Sequence, residues 1–298
     1  MSQGVLYGGL AKVNCGFEEF DLGDGILIRQ SYGHLFAPFM MAFNPKGKHG
    51  FNEGPWKAAK GGIAFDIGAE IEMPKIKEFN GKLTQEEMVW LIASLIRLSS
   101  HPYAIVPAIA DISFKKVIEN ELEPTIRPFE VKHRIFAPSE EKHTLLQQET
   151  LLWIKDVWKS TAELMITNPK FQSAYKAFDF ATIENKTSSS LLSIWGAIEQ
   201  LFSPGAGELK FRVSSYLACY LSEPGQGRFE LYKQLTKLYN DRSSAAHTSK
   251  EADNSALLAS YVHLRNALVK IIDNAEIPSI EELEKLLYLN IGKSGVEE

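Results

Sequence analysis

The chain is poor in cysteine, and its two thiols, Cys15 and Cys219, stand far apart with no CxxC pair or Cys/His cluster around either. That excludes a disulfide framework and gives no reason to expect a zinc site, so both are read as plain thiols and no metal or other cofactor is called for. Long apolar runs are missing as well. The longest, near Val89 to Leu98, is interrupted by Arg97 well short of the roughly 20 residues a bilayer span needs. Met1-Ser2-Gln3-Gly4 begins no basic segment followed by an apolar run, so the expectation is a cytoplasmic protein with no secretory signal and no membrane partner. Basic excess is lacking too: 32 Lys and Arg against 37 Asp and Glu leave a net charge of −5, which argues against a surface that grips nucleic acid everywhere. Disorder is excluded by 45% hydrophobic and 23% charged residues, ordinary values for a globular chain.

What is present suits two domains, given 298 residues and about 100 to 200 per domain. The first 80 residues are punctuated by glycine, with short runs at 26–28, 35–43 and 63–71 that read as strands between turns. Thr84 with Glu87 forms a capping box and predicts a helix over about 85–98. Residues 103–109 and 130–136 read as extended, with Pro102, Pro107, Pro124 and Pro128 breaking any helix between them. Residues 1–138 are thus expected to form an α+β domain that senses a trigger or selects a substrate. From Ser139 glycine disappears for more than fifty residues and apolar positions fall at helical spacing. Residues 139–298 are expected to be all-α, with helices over 140–167, 188–202 capped by Ser188, 208–221, 229–239 and 255–274, and a last one capped by Ser279 and Glu282.

One constellation carries chemistry. Leu231, Leu235 and Leu238 lie at i, i+4 and i+7, and the next position of that apolar stripe is Arg242. A guanidinium there requires an anionic partner. Glu199 is the leading candidate, because it shares a helix face with Leu192, Trp195 and Phe202. Five residues after Arg242 comes His247; on an uninterrupted helix the two lie about 140° apart and about 7.5 Å along the axis. They converge only if the helix breaks after Asp241-Arg242-Ser243-Ser244 or if a twofold dimer brings in a second copy. Residues 209–250 hold seven Lys and Arg against three Asp and Glu, a local excess that suits a phosphate backbone.

The segment Ser193-Ile194-Trp195-Gly196-Ala197-Ile198-Glu199-Gln200-Leu201-Phe202, followed about forty residues later by Leu235 to His247, resembles the ApeA-like HEPN domains, over about half the chain. The resemblance implies an α-helical HEPN bundle whose R-x(4–6)-H motif forms a metal-independent ribonuclease site across a homodimer. Ser243 supplies the polar residue often found directly after the arginine, whereas Thr248 stands where many relatives have glycine. The implied reaction is transesterification of RNA, in which the 2′-hydroxyl attacks phosphorus and the 5′-oxygen leaves. His247 would move the proton, Arg242 would bind the phosphate, Glu199 would orient Arg242 and Ser243 would add a hydrogen bond. Lys233, Lys237 and Tyr239 are the candidate RNA contacts, against the plainer readings of a solvated helix face and a core aromatic. The resemblance further implies a toxin-like role in antiviral defence. Two other readings stand beside it: a non-catalytic HEPN module that binds RNA, a nucleotide or a partner protein, and an antitoxin-like or scaffolding partner of another enzyme.

Overall fold

The computed structural model describes residues 4–52, 54–75, 78–119, 123–132, 134, 144–203, 207–247 and 251–289. They form an antiparallel sheet and eight helices, an α+β part and a helical part. The chain divides into two compact units, but not at a single cut near 138. One comprises 1–75, 104–131 and 143–147; the other comprises 76–103, 132–142 and 148–298.

The first unit is built on strands β1 (Leu6–Ala11), β2 (Val13–Cys15), β3 (Glu19–Gly23), β4 (Ile26–Ala42), β5 (Trp56–Met73), β6 (Ile105–Ala110), β7 (Ile126–Pro128) and β8 (Thr144–Leu146). Six of them make one antiparallel sheet in the order β3-β4-β5-β1-β6-β7. The runs read as strands at 26–28 and 35–43 are one continuous strand, and 63–71 lies within its partner. Ile67, Ala108, Ala110 and Phe114 form one core cluster, and Ala11, Phe65 and Ile105 another. Glu70 is buried beneath a 3₁₀ turn (Phe114–Glu119), where it accepts from Ser113 Oγ at 2.6 Å, Phe114 N at 2.8 Å and Ser31 Oγ at 3.2 Å. Gly68 is required by close approach: a Cβ there would come within 2.3 Å of the Val13 carbonyl oxygen. β2 pairs in parallel with β8, so the single helix expected over 140–167 does not form: Thr144–Leu146 is strand, and 140–143 lie outside the described residues. The extended stretch expected over 130–136 also lies partly outside them, although the Glu130 amide still bonds to the Val106 carbonyl.

The second unit holds α1 (Gln85–Ser99), α2 (Gln148–Thr167), α3 (Pro169–Ala181), α4 (Thr187–Phe202), α5 (Leu209–Leu221), α6 (Gln226–His247), α7 (Asn254–Asn274) and α8 (Ile280–Tyr288). Both predicted capping boxes are present, at Thr84/Glu87 and Ser279/Glu282. Asn168-Pro169, passed over in the sequence, opens α3: Asn168 Oδ1 accepts from the Lys170 and Phe171 amides, and proline at the first helical position gives up no hydrogen bond. Cations of one helix satisfy carbonyls at the end of another. Arg265 of α7 donates to the Leu98 and Ser99 carbonyls of α1, and Arg228 of α6 to Leu286 of α8.

α1 was expected to belong with the first domain. From Met88 to Leu98 it is buried on nearly every side, and that stretch carries Arg97, only 2% exposed. The matching carboxylate is Asp179 of α3. Arg97 Nε donates to Oδ1 at 2.6 Å and Nη2 to Oδ2 at 3.0 Å, while Trp90 Nε1 and Arg134 Nη2 also reach Oδ2, at 3.1 and 3.3 Å. The buried charges thus place α1 in the helical unit. Burial pushes the Asp179 carboxyl up, but the charges of Arg97 and Arg134 outweigh it and hold the group below the usual carboxylate range.

Asp179→Asn is therefore expected to cost about 3 to 5 kcal/mol of stability at neutral pH, seen as a fall in the urea midpoint. Because the folded value is depressed, this contribution is complete above the ordinary carboxylate value of about 4 and is lost as pH falls through the folded one. The stability curves of wild type and variant should accordingly converge in acid.

Candidate functional site

α4 presents Ile194, Trp195, Ile198, Leu201 and Phe202 to the core, and Trp195 Nε1 donates to Ser260 Oγ of α7 at 3.0 Å. This fixes the helix axially and leaves Glu199 near the edge of the buried face. α6 buries only Leu235 and Leu238, with Leu231 half-buried. One turn beyond Leu238 the stripe reaches Arg242. The pairing expected from sequence is present: Arg242 Nη2 lies 3.2 Å from Glu199 Oε1 and donates to Oε2 at 3.3 Å, with the two side chains 25% and 18% exposed. Tyr239 completes the cluster. Its ring meets Trp195 edge-on at 5.3 Å, and the Arg242 guanidinium carbon lies 5.5 Å from its centroid. Burial, then the Glu199 carboxylate, pushes the Tyr239 hydroxyl up from its ordinary value.

The pair is incomplete. Arg242 Nε is buried and without a hydrogen-bond partner among the described residues, whereas Glu199 meets both the guanidinium and the Tyr239 hydroxyl. A guanidinium offers five donors and a carboxylate about four acceptor sites, so each group keeps capacity that the other does not fill.

His247 stands apart. α6 runs without a break from Gln226 to His247, so the break after 241–244 that would let both residues reach one atom is not there. On this continuous helix the two point about 140° apart, and His247 is exposed at the last turn. Ser243, beside Arg242, is half-buried, and Thr248 lies outside the described residues. Beyond that gap the chain is tied to the start of α4: Glu251 Oε1 accepts from the Ser188 amide at 2.8 Å, and Ser188 Oγ accepts from the Ala252 amide at 2.9 Å. Ser188 is therefore not the cap of α4. The cap position is Lys186, which makes no side-chain bond to the helix.

The two lysines are differently placed. Lys233 pairs with Glu230 at 3.2 Å and lies over the Phe229 ring at 4.3 Å, a local arrangement of an exposed helix face. Lys237 lines a cleft of about 660 Å³ between α6 and α7, together with Asp241, Ser244, Glu251 and Asp253. Three carboxylates around one ammonium make that cleft acidic, a feature that a count of charges along the sequence passes over because Glu251 and Asp253 fall just outside the basic stretch. Among the described residues no group of three or more His, Cys, Asp or Glu side chains is placed to hold a metal ion. No described helix is long and apolar enough to cross a membrane.

No protein-family model matches this chain, and no curated protein or solved structure shows significant similarity to it. The arginine is held by a carboxylate and an aromatic ring on two packed helices, and one and a half turns further along the same helix comes an exposed imidazole.

Replacing Glu199 by glutamine removes the negative charge but keeps the shape. In Glu199→Gln the Tyr239 hydroxyl should ionise at lower pH than in wild type, a change read by NMR titration of ring-labelled tyrosine. Glu199→Ala, which strands a part-buried guanidinium, should cost about 1 to 2 kcal/mol, between an exposed and a buried pair.

Proposed function

We propose that this protein is a metal-independent endoribonuclease of HEPN type, cutting RNA by attack of the 2′-hydroxyl on the adjacent phosphorus at a site that two copies of α6 build together. The observation that carries the reading is the unbroken helix bearing a clamped Arg242 and an exposed His247 on different faces. One copy cannot direct both residues at one phosphate. A twofold axis beside α6 would set the arginine of one copy opposite the histidine of the other, the self-complementary geometry of an isologous dimer.

The roles follow from the side chains. Arg242, held by Glu199 and Tyr239, would offer its outward N–H groups to the phosphate as charge builds in the transition state. His247 is exposed, with no carboxylate within salt-bridge distance among the described residues, so its imidazole is open to exchange a proton with the 2′-hydroxyl or the leaving oxygen. Ser243 would donate a further hydrogen bond. DNA, without the 2′-hydroxyl, offers no nucleophile for this route. A second reading, a non-catalytic HEPN module that binds RNA, a nucleotide or a partner, is favoured by one specific feature: Arg242 is already engaged by both a carboxylate and a ring.

The test is incubation of purified protein with mixed RNA in EDTA and end-group analysis of the products. Wild type should leave 2′,3′-cyclic phosphates, with loss of about 10² to 10⁴ in rate for His247→Ala. Mixing inactive Arg242→Ala with inactive His247→Ala should restore about a quarter of the activity, since half the dimers are then mixed and each mixed dimer keeps one of two composite sites. Intact RNA in every sample would favour the binding module. Cleavage should weaken as salt rises; a rate unchanged across the salt titration would remove the electrostatic contribution to RNA binding.

A further inference from the structure

The β4–β5 hairpin extends beyond the rest of its sheet. β3 pairs with β4 only as far as Arg29, and β1 pairs with β5 only from Ile67 onward. Outward from there, Phe36 to Ala42 and Trp56 to Ala64 pair only with each other among the described strands, which makes a two-stranded arm about 25 Å long. Two strands alone are marginal in water, and both outer edges of this arm are open. Its surface is also unusual: Phe36, Phe39, Phe43, Phe51 and Trp56 are all at least half exposed, as are Met40 and Met41. Single exposed apolar residues need no explanation, but by the pairing register Phe36 and Trp56 share one face of the free ribbon and Phe39 and Phe43 the other, and exposed aromatics on both faces mark a binding surface.

Charge decides what binds there. Between Ser31 and Phe65 the sequence carries Lys46, Lys48, Lys57 and Lys60 against the single acid Glu53, in a protein whose net charge is −5. All four lysines are exposed. A second copy of the arm would bring like charges together. A bilayer would receive the tip first, whereas the exposed rings and lysines continue down the arm as far as Phe36 and Lys60. Interleaved rings and ammonium groups on an extended ribbon suit a flexible polyanion whose bases can stack while its phosphates meet the lysines. The tip itself is tied by Asn44 Nδ2 donating to the Gly54 carbonyl at 2.7 Å and the Gly47 amide to the Phe51 carbonyl at 2.9 Å, so its side chains are presented from an ordered turn.

We propose that this arm binds single-stranded RNA, stacking bases on Trp56 and Phe39 and holding phosphates with Lys57 and Lys60. Its affinity for a single-stranded polyanion stands on the arm alone; the choice of RNA over DNA rests on the ribonuclease reading. The experiment titrates full-length protein carrying His247→Ala, which keeps the probe whole, against a fluorescein-labelled single-stranded RNA in EDTA, with anisotropy as the readout. Adding Lys57→Glu and Lys60→Glu should weaken binding at least tenfold and lower the slope of log affinity against log salt by about 1.4. Trp56→Ala with Phe39→Ala should weaken it at least fivefold, and all these exposed changes should leave the circular dichroism spectrum and melting curve unaltered. Arm variants that bind RNA like the parent overturn the proposal. So does binding to phosphatidylserine vesicles in place of RNA, or an arm-dependent dimer in sedimentation with no affinity for RNA. A parallel cleavage assay separates the two ideas: arm-dependent binding without cleavage upholds the arm and removes the nuclease, while cleavage indifferent to the arm does the reverse.

Discussion

One buried carboxylate, Asp179, governs the helical unit. It collects two bonds from Arg97, one from Trp90 and one from Arg134, and is 2% exposed. Desolvating such charges costs several kcal/mol each, and only a fully hydrogen-bonded arrangement offsets that. The geometry is therefore strict. It docks α1 on α3, and it is reinforced by Ser94 Oγ and the Tyr175 hydroxyl at 2.9 Å and by Phe178 stacked on Tyr261 of α7 at 4.5 Å. α4 packs between α3 and α7, so the position of Glu199 is inherited from this network.

The second arginine–carboxylate pair uses the same groups to a different end. Arg97 and Asp179 are enclosed, and Asp179 has no oxygen left to offer. Arg242 and Glu199 lie at the margin of the bundle, with the buried Nε donor of Arg242 still unmatched among the described residues. An enclosed pair specifies packing, whereas a marginal and incomplete one leaves a cation with donors to spare. That contrast, rather than the presence of an arginine as such, separates the structural ion pair from the candidate site.

Much of this was legible in the sequence where local chemistry decides. The capping boxes at Thr84 and Ser279, the helices over 187–202, 209–221 and 254–274, and the Arg242–Glu199 pairing each follow from residues within a few turns of one another or from one misfit on an apolar stripe. What was not legible depended on distant partners. Thr144–Leu146 continues the helical-looking pattern after Ser139, yet becomes a strand because β2 lies ready to pair with it. Leu145, on that strand, and Leu152, in α2, are both exposed although an apolar helical stripe would bury them. Arg97 reads as an interruption of an apolar run until Asp179 is brought to it. α6, expected to end near 239, runs on through Ser243 and Ser244 to His247, and the acidity of the cleft beside Lys237 comes in part from Glu251 and Asp253 beyond that helix.

The crossing of the chain between its two units has a consequence for synthesis. α1 emerges from the ribosome 82 residues before the carboxylate that neutralises it. At about 5 to 20 residues per second, Arg97 and the apolar face around it wait roughly ten seconds for Asp179. During that interval α2, the element that α1 packs against most, is made first, but the charge of Arg97 still has no carboxylate to meet it. The helical unit therefore cannot settle its buried charge until α3 is made, and a ribosome stalled before Asp179 would leave Arg97 without the carboxylate that neutralises it.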